Sequence, residues 1–227
     1  MMCTWSINQS SVFSREALQS IDADATEQYN ISSIVLMENA AKGAANIILD
    51  STDSQVQSKI VILCGLGNNG GDGYGVARHL ANVGCNISIL QLGNPISKDA
   101  KINASICTAM QISQAPWAED ECNDATLFID AIFGTGLDRT VTGKYADAIH
   151  VCNAHRSPCI SLDIPSGMDC DSGLPLGCCI EAAMTISFVG MKRGFLEESA
   201  KHVLGKVVIT DIGCPRALLQ KYSSSTT

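Results

Sequence analysis

Residues 67–73 read G-N-N-G-G-D-G, with three polar side chains, Asn68, Asn69 and Asp72, set among four glycines. The apolar stretch I-V-I-L-C lies upstream, and Val76, Ala77, Leu80 and Ala81 downstream fall on one helical face. A glycine-rich turn between a strand and a helix collects backbone N–H groups at a helix N-terminus, where they can hold phosphate. Gly65, Gly67 and Gly70 satisfy G-x-G-x-x-G, a weak signal by itself. The dinucleotide fingerprint also needs an acid at the end of the next strand to clasp the ribose. That strand ends I-S-I-L-Q-L-G-N-P, without one. A phosphate loop needs Gly-Lys-Ser/Thr, and this loop has Gly-Asp-Gly. Asp72 is unusual beside a phosphate. It suits a lock on the loop through backbone N–H bonds, or a sugar hydroxyl.

Other polar residues recur at strand ends. Asp130 lies in F-I-D-A-I-F, followed by G-T-G-L-D-R-T over residues 134–140. Asp163 lies in S-L-D-I-P-S-G, with Ser166 three residues on. Lys192 lies in G-M-K-R-G-F. Carboxylates embedded in apolar sequence need partners. One can ligate a cation while the other works as acid or base. Asn69, Asp130 and Ser166 offer oxygen alone, which suits a hard or alkali cation and not zinc. Carbonyl-rich sites suit K⁺ in particular. Lys192 reads either as a functional ammonium or as a solvated surface charge. His79, His150, His155 and His202 form no triad, and no G-x-S-x-G elbow is present.

The elements that must carry these residues alternate. Ser14 caps a helix over residues 14 to about 29, with Leu18, Ile21, Ala25 and Tyr29 on one face. A second helix spans 34–49. Strands follow at 59–64, 86–92, 126–133, 158–164, 183–189 and 206–211. Helices lie between them at 97 to about 111, capped by Ser97 with Asp99 in its first turn, and at 144–154. Pro215 opens a short last helix, and a disordered tail is expected over 222–227. Apolar strands alternating with amphipathic helices predict an α/β three-layer sandwich around a mostly parallel sheet, whose ligand sits at the carboxyl ends of the strands. The chain reads as a single domain over 1–227, with an α/β core over 58–221. The N-terminal helix pair flanks that core or forms an oligomer contact.

The chain has 227 residues, 46% apolar and 17% charged, enough for one substantial core. Its net charge of -8 disfavours nucleic-acid binding over a broad surface. The 11 cysteines include no C-x-x-C pair and no zinc-finger spacing, and several lie in apolar runs, as buried reduced thiols do. The first 15 residues lack a basic segment followed by an apolar core, and no apolar run approaches a membrane span. A reducing, cytoplasmic setting is expected.

Taken together the motifs resemble the YjeF N-terminal domain family, the NAD(P)H-hydrate epimerases. L-M-E-N-A-A-K-G-A-A at 36–45, C-G-L-G-N-N-G-G-D-G at 64–73, D-A-I-F-G-T-G-L at 130–137, D-I-P-S-G-M-D at 163–169, M-K-R-G-F at 191–195 and G-K-V-V-I-T-D-I-G at 205–213 carry the likeness. It runs from about residue 14 to 219. The resemblance implies a Rossmann-like sandwich, often a homodimer, that interconverts the R and S forms of NADHX and NADPHX, nicotinamide cofactors hydrated at C6. A separate dehydratase consumes the S form, and this chain ends where that second domain would begin. The resemblance puts K⁺ on Asn69, Asp130 and Ser166. It puts substrate contacts on Asn68, Asn69, Gly70, Gly71 and Asp72, on Gly134, Thr135, Gly136, Leu137, Asp138, Arg139 and Thr140, and on Asp163. Asp163 and Lys192 are the expected acid–base residues. Water loss and return at C6, or ring opening, would each invert that carbon. The competing reading is a non-catalytic module of the same fold used for dimerisation or protein binding. A nicotinamide-dependent dehydrogenase lacks its ribose-binding acid.

Overall fold

The computed structural model describes residues 11–51 and 59–225. The reading of the first residues as leaderless falls largely outside them, as do residues 226–227 of the expected tail. In chain order the elements are β1 (Ser11–Phe13), α1 (Arg15–Glu27), α2 (Ser33–Ser51), β2 (Lys59–Cys64), α3 (Asn68–Asn82), β3 (Asn86–Gln91), α4 (Lys98–Ala109), β4 (Ser113–Pro116), β5 (Leu127–Ala131), α5 (Lys144–Ala154), β6 (Cys159–Leu162), β7 (Met184–Phe188), β8 (Met191–Lys192), α6 (Lys201–Leu204), β9 (Lys206–Thr210), α7 (Arg216–Tyr222) and β10 (Ser224–Ser225). Short 3₁₀ turns lie before β5 and after β8.

Seven strands form one sheet in the order β4-β3-β2-β5-β6-β7-β9, paired in parallel throughout. The chain builds outward from β2 through β3 to β4. It then returns to the other side of β2 and continues through β5. This reversal puts the topological switch point between β2 and β5, and α/β sheets open a crevice there. The strand K-I-V-I-L-C is apolar on both faces because helices cover both. Ile60, Ile62 and Cys64 enter one core with α1 to α4, while Val61 and Leu63 enter a second with α5.

The helix signals act locally. Ser14 Oγ accepts from Ala17 N at 3.2 Å and Ser97 Oγ from Ala100 N at 3.3 Å, capping α1 and α4. α1 buries Leu18, Ile21 and Ala25 but ends at Glu27, so Tyr29 lies beyond it and stays exposed. Asn30, with φ 55°, follows the helix end in the left-handed region. α2 turns Ala40, Ala41, Ala44 and Ala45 inward, and these small side chains let α3 approach closely. A Cβ on Gly75 of α3 would come within 2.5 Å of the Ala41 Cβ.

One part of the fold departs from expectation. β1 lies between β8 and β10 in a small second sheet, with Phe13 opposite Lys192 and Val12 opposite Ser224. The expected disorder from residue 222 does not hold over 222–225. Tyr222 ends α7, its hydroxyl donates to Asp24 at 2.7 Å, and Ser224–Ser225 pairs with Ser11 and Val12. Among the described residues no helix is long and apolar enough to cross a membrane.

Candidate active site

A cleft of about 590 Å³ opens at the switch point, lined from α1, α2, the start of α3, the β5–α5 loop, Asp163 and Lys192. Two loops meet tightly beneath it. Gly65 N donates to Ala131 O at 2.9 Å, and a Cβ on Gly65 would lie 1.9 Å from Ile132 O, a space only glycine leaves open.

The G-N-N-G-G-D-G run is mostly helix. Gly67 is the N-cap, and residues 68–73 form the first turns of α3. The glycine-rich segment is therefore a packed helix start more than an open cradle. Gly67, Asn68, Asn69 and Asp72 line the cleft, next to first-turn N–H groups that have no helical acceptor. Gly70 and Gly71 are buried outside the lining, where Cβ atoms would strike Gly65 O at 2.1 Å and the Met37 side chain at 2.7 Å.

Asn69 is 6% exposed, and among the described residues neither its Oδ1 nor its Nδ2 has a hydrogen-bond partner. Folded proteins rarely leave a buried amide so, which points to a group bound from outside the chain. Asp72 is 8% exposed and makes no hydrogen bond or ion pair among the described residues. It therefore does not lock the loop. Burial first, then the nearby charges of Asp163, Asp22 and Asp99, push its pKa well above the carboxylate range.

Asp130, near the end of β5, and Ser166 are fully buried and lie outside the lining of the cleft, behind Ile132 and Phe133, which do line it. Asp130 Oδ1 accepts from Ile132 N at 3.2 Å and from Ser166 Oγ; its Oδ2 accepts from Ser161 Oγ and Ser166 N, both at 2.8 Å. Burial raises its pKa, and these bonds pull against that rise. Ser166 Oγ accepts from Phe133 N at 2.8 Å and lies 3.2 Å from Phe133 O. Asp130, Ser166 and the Phe133 carbonyl thus form one oxygen-rich cluster. Next along the chain, Gly134 lies against Asn69 and Asp163: a Cβ there would be 3.4 Å from Asn69 Cβ and 3.1 Å from Asp163 Oδ2.

Asp163 follows β6 with φ 66°, a left-handed backbone unusual for a residue with a side chain. A bond from its N–H to Ile186 O at 2.8 Å holds this geometry. Its Oδ1 pairs with Lys192 Nζ at 2.6 Å, and its Oδ2 accepts from Thr135 N at 3.3 Å. Lys192 is fully buried, so the surface-lysine reading does not hold. β8 pairs with β1 and draws it inward. Besides Asp163 it reaches Ser187 Oγ at 3.0 Å and Phe188 O at 2.7 Å, so three acceptors meet its three hydrogens.

The β5–α5 loop brings Gly134, Thr135, Gly136, Leu137, Asp138 and Arg139 to the cleft, whereas Thr140 lies exposed beyond the lining. Arg15, at the start of α1, holds this loop. Its Nε donates to Thr135 O at 2.9 Å and its Nη2 to Leu137 O at 2.7 Å, and it also pairs with Asp169. Sequence reasoning missed Arg15, because its partners lie 120 or more residues away. It also missed Asp22 and passed over Asp99 as a simple helix-start acid, although both line the cleft. Asp22 stands four residues after the core residue Leu18, a faint sign that it borders the apolar face of α1, although it is itself exposed. Part of Asp22 is open to solvent, yet the surrounding protein displaces enough water to raise its pKa. Burial is the main cause, repulsion from Asp163 adds to it and Lys192 opposes it, and the value reaches about 6.

Residues 33–194 match the family described as YjeF-related protein N-terminus. The chain belongs to the YjeF N-terminal family. A curated YjeF relative, the NAD(P)H-hydrate epimerase of Limosilactobacillus fermentum, is 39% identical over 84% of this chain and 91% of its own. A bifunctional NAD(P)H-hydrate repair enzyme of Moorella thermoacetica is 37% identical over 88% of this chain, a match that spans 40% of that longer protein. Among solved structures, yeast ynu0 (YNL200c) superposes with a TM-score of 0.78 at 21% identity over 95% of each chain, a likeness of fold. The YjeF N-terminal match begins with α2 and ends just past Lys192. It contains every expected site residue and leaves out Arg15 and Asp22 on α1.

Proposed function

We infer that this chain is an NAD(P)H-hydrate epimerase, an isomerase that interconverts the R and S forms of hydrated NADH and NADPH in cofactor repair. The curated relatives support the activity over nearly the full length of both chains. One observation of the site carries the catalytic reading. The pair formed by the buried Lys192 and the half-buried Asp163 shares a cleft with two buried polar side chains, Asn69 and Asp72, that have no hydrogen-bond or ion-pair partner among the described residues. A protein-binding module would carry their desolvation cost to no purpose.

The reaction changes configuration at C6, the carbon next to the ring nitrogen. If the C6 hydroxyl takes a proton and leaves as water, the nitrogen lone pair stabilises the resulting cation. Water then returns on the other face and gives up a proton. In our reading Asp163 is the acid–base group, with its negative charge also favouring the cation. Lys192 spends its hydrogens on Asp163, Ser187 and Phe188, so it positions Asp163 and does not enter the proton transfer. First-turn N–H groups of α3 and the loop held by Arg15 would receive the phosphates and sugar.

A K⁺ ion would be held by Asn69, Asp130 and Ser166, with the Phe133 carbonyl nearby. The fit rests on the orphaned Asn69 amide and on a donor set made of oxygen alone. The ion would supply fixed positive charge beside an anionic substrate. The same reading carries a homodimer, a cytoplasmic setting and a separate dehydratase that consumes the S form. The bifunctional relative supports the link to a second repair activity.

A coupled assay tests the function. Mixed epimers of NADHX are given to an S-specific dehydratase, and NADH absorbance is followed with and without this protein. We expect recovery to run rapidly to completion with it, and more slowly when Na⁺ replaces K⁺. A plateau unchanged by folded protein would turn attention to the binding-module reading.

A further inference from the structure

Loss and return of water on opposite faces of a flat cation set a geometric demand. A proton must be handed over on one side and collected on the other, and a catalytic group acts within hydrogen-bond reach of its proton. Asp163 is tied by Lys192 through Oδ1 and by Thr135 N through Oδ2, so it is fixed to one side of the cleft. A second group must serve the other side.

Resting on the epimerase reading, we propose that Asp22 of α1 is that second acid–base carboxyl, working across the cleft from Asp163. Asp22 lines the same cleft from a different element. Its carboxyl makes no hydrogen bond or ion pair among the described residues, so none of them holds its proton or occupies its lone pairs. It lies close enough to Asp163 and Lys192 to sense both charges, bonds to neither, and shares with them the lining of the cleft of about 590 Å³. The titratable groups facing it are Asp163 beyond β6, Lys192 of β8, Asp72 of α3 and Cys214 beyond β9. Lys221 of α7, which packs on α1, is taken by Asp24. Among the described residues no three His, Cys, Asp or Glu side chains are placed to hold a metal ion, so these carboxyls do not form such a site. Other titratable groups in the lining suit the role less well. Asp72 and Asp99 are buried at the starts of α3 and α4, and Asp138 and Arg139 belong to the same β5–α5 loop that binds Asp163 through Thr135 N.

The step balances without a co-reactant. In one direction the Asp22 carboxyl gives its proton to the C6 hydroxyl, the C–O bond breaks, water departs and the nitrogen lone pair forms C6=N1. Water adds from the Asp163 side, a C–O bond forms and Asp163 takes the proton. The other direction runs these steps in reverse. The two carboxyls then exchange protons with solvent.

The experiment incubates each separated NADHX epimer in ¹⁸O-water and measures inversion and solvent-oxygen uptake, corrected for the rate without protein. In the wild type every inversion should carry solvent oxygen. In Asp22→Asn, shown folded by its thermal midpoint, inversion should fall by about 100-fold or more. From the epimer whose hydroxyl faces Asp163, oxygen exchange without inversion should survive. From the other epimer both should be lost. Wild-type rates in the variant, or equal losses of exchange and inversion from both epimers, overturn the proposal. Wild-type inversion without oxygen uptake would also overturn it and leave the epimerase standing. No inversion by the wild type would instead remove the function on which it rests.

Discussion

Asp72 concentrates the conflict between stability and function in one side chain. A carboxyl 8% exposed with no hydrogen-bond or ion-pair partner among the described residues costs folding free energy, and its raised pKa reflects that cost. Asp72→Asn should therefore raise stability at pH 7 by about 1–2 kcal/mol in denaturant melts while lowering epimerase activity. A loss of stability would mean that Asp72 has a bonding role within the chain. Asp163→Asn keeps an oxygen facing Lys192, so the variant should fold. Its kcat/KM should drop by about 100-fold or more, the range for removing an acid–base group. Near wild-type turnover would take Asp163 out of the chemistry.

At the scale of elements, α1 fastens the loop that roofs the cleft. Arg15 is its first residue, one position past the Ser14 cap, and its guanidinium reaches Thr135 O, Leu137 O and Asp169. Charge-assisted bonds of this kind contribute about 1.5–3 kcal/mol. Arg15→Ala should destabilise the protein by about that amount, and its kinetic effect should fall mainly on KM, because in the proposed function the loop receives substrate while Lys192 still holds Asp163 when the Thr135 bond loosens. A fall in kcat alone would contradict this division. β1 serves a related purpose. Pairing Phe13 opposite Lys192 keeps the lysine inside the protein, next to Asp163.

Across the whole molecule, protons link the site to stability. Asp22, Asp72 and Asp130 all have pKa values above the ordinary 3.8, that of Asp22 at about 6. The native state then binds more protons than the unfolded chain over the window from 3.8 to about 6 and above. The stability from Asp22 is fully present below 3.8 and is lost as pH rises through about 6. Asp24, Asp124 and Asp169 are shifted the other way, so their contribution is lost only at lower pH. His79, whose pKa burial lowers, works against this in the same window, so the Asp22 share is read by difference: from pH 5 to pH 7.5 the thermal midpoint of the wild type should change less favourably than that of Asp22→Asn. An unchanged slope in the variant would mean that Asp22 titrates alike in both states.

Whatever depends on neighbours along the chain was legible in the sequence. β2 was readable because an unbroken apolar run is what a strand covered on both faces requires. The starts of α1 and α4 were readable because a serine cap bonds within three residues. Asp130, Asp163 and Ser166 could be assigned to strand ends, since parallel α/β architecture brings those ends to one edge. The rest waited on contacts between distant residues. Ser11–Phe13 and Met191–Lys192 are too short to show a period, and they become strands only by pairing with each other across the chain. Lys192 could therefore be read as a functional ammonium or as a surface charge, and only that pairing, which buries it, decides against the surface. The glycines of 70–73 looked like a ligand cradle, but Gly70, Gly71 and Gly73 are packed against Gly65, Met37 and Ala131. Asp22 and Arg15 joined the site only when the tertiary fold laid α1 along the cleft. Local sequence determined which elements form and where the strand-end acids sit, and long-range packing decided which charges share the pocket.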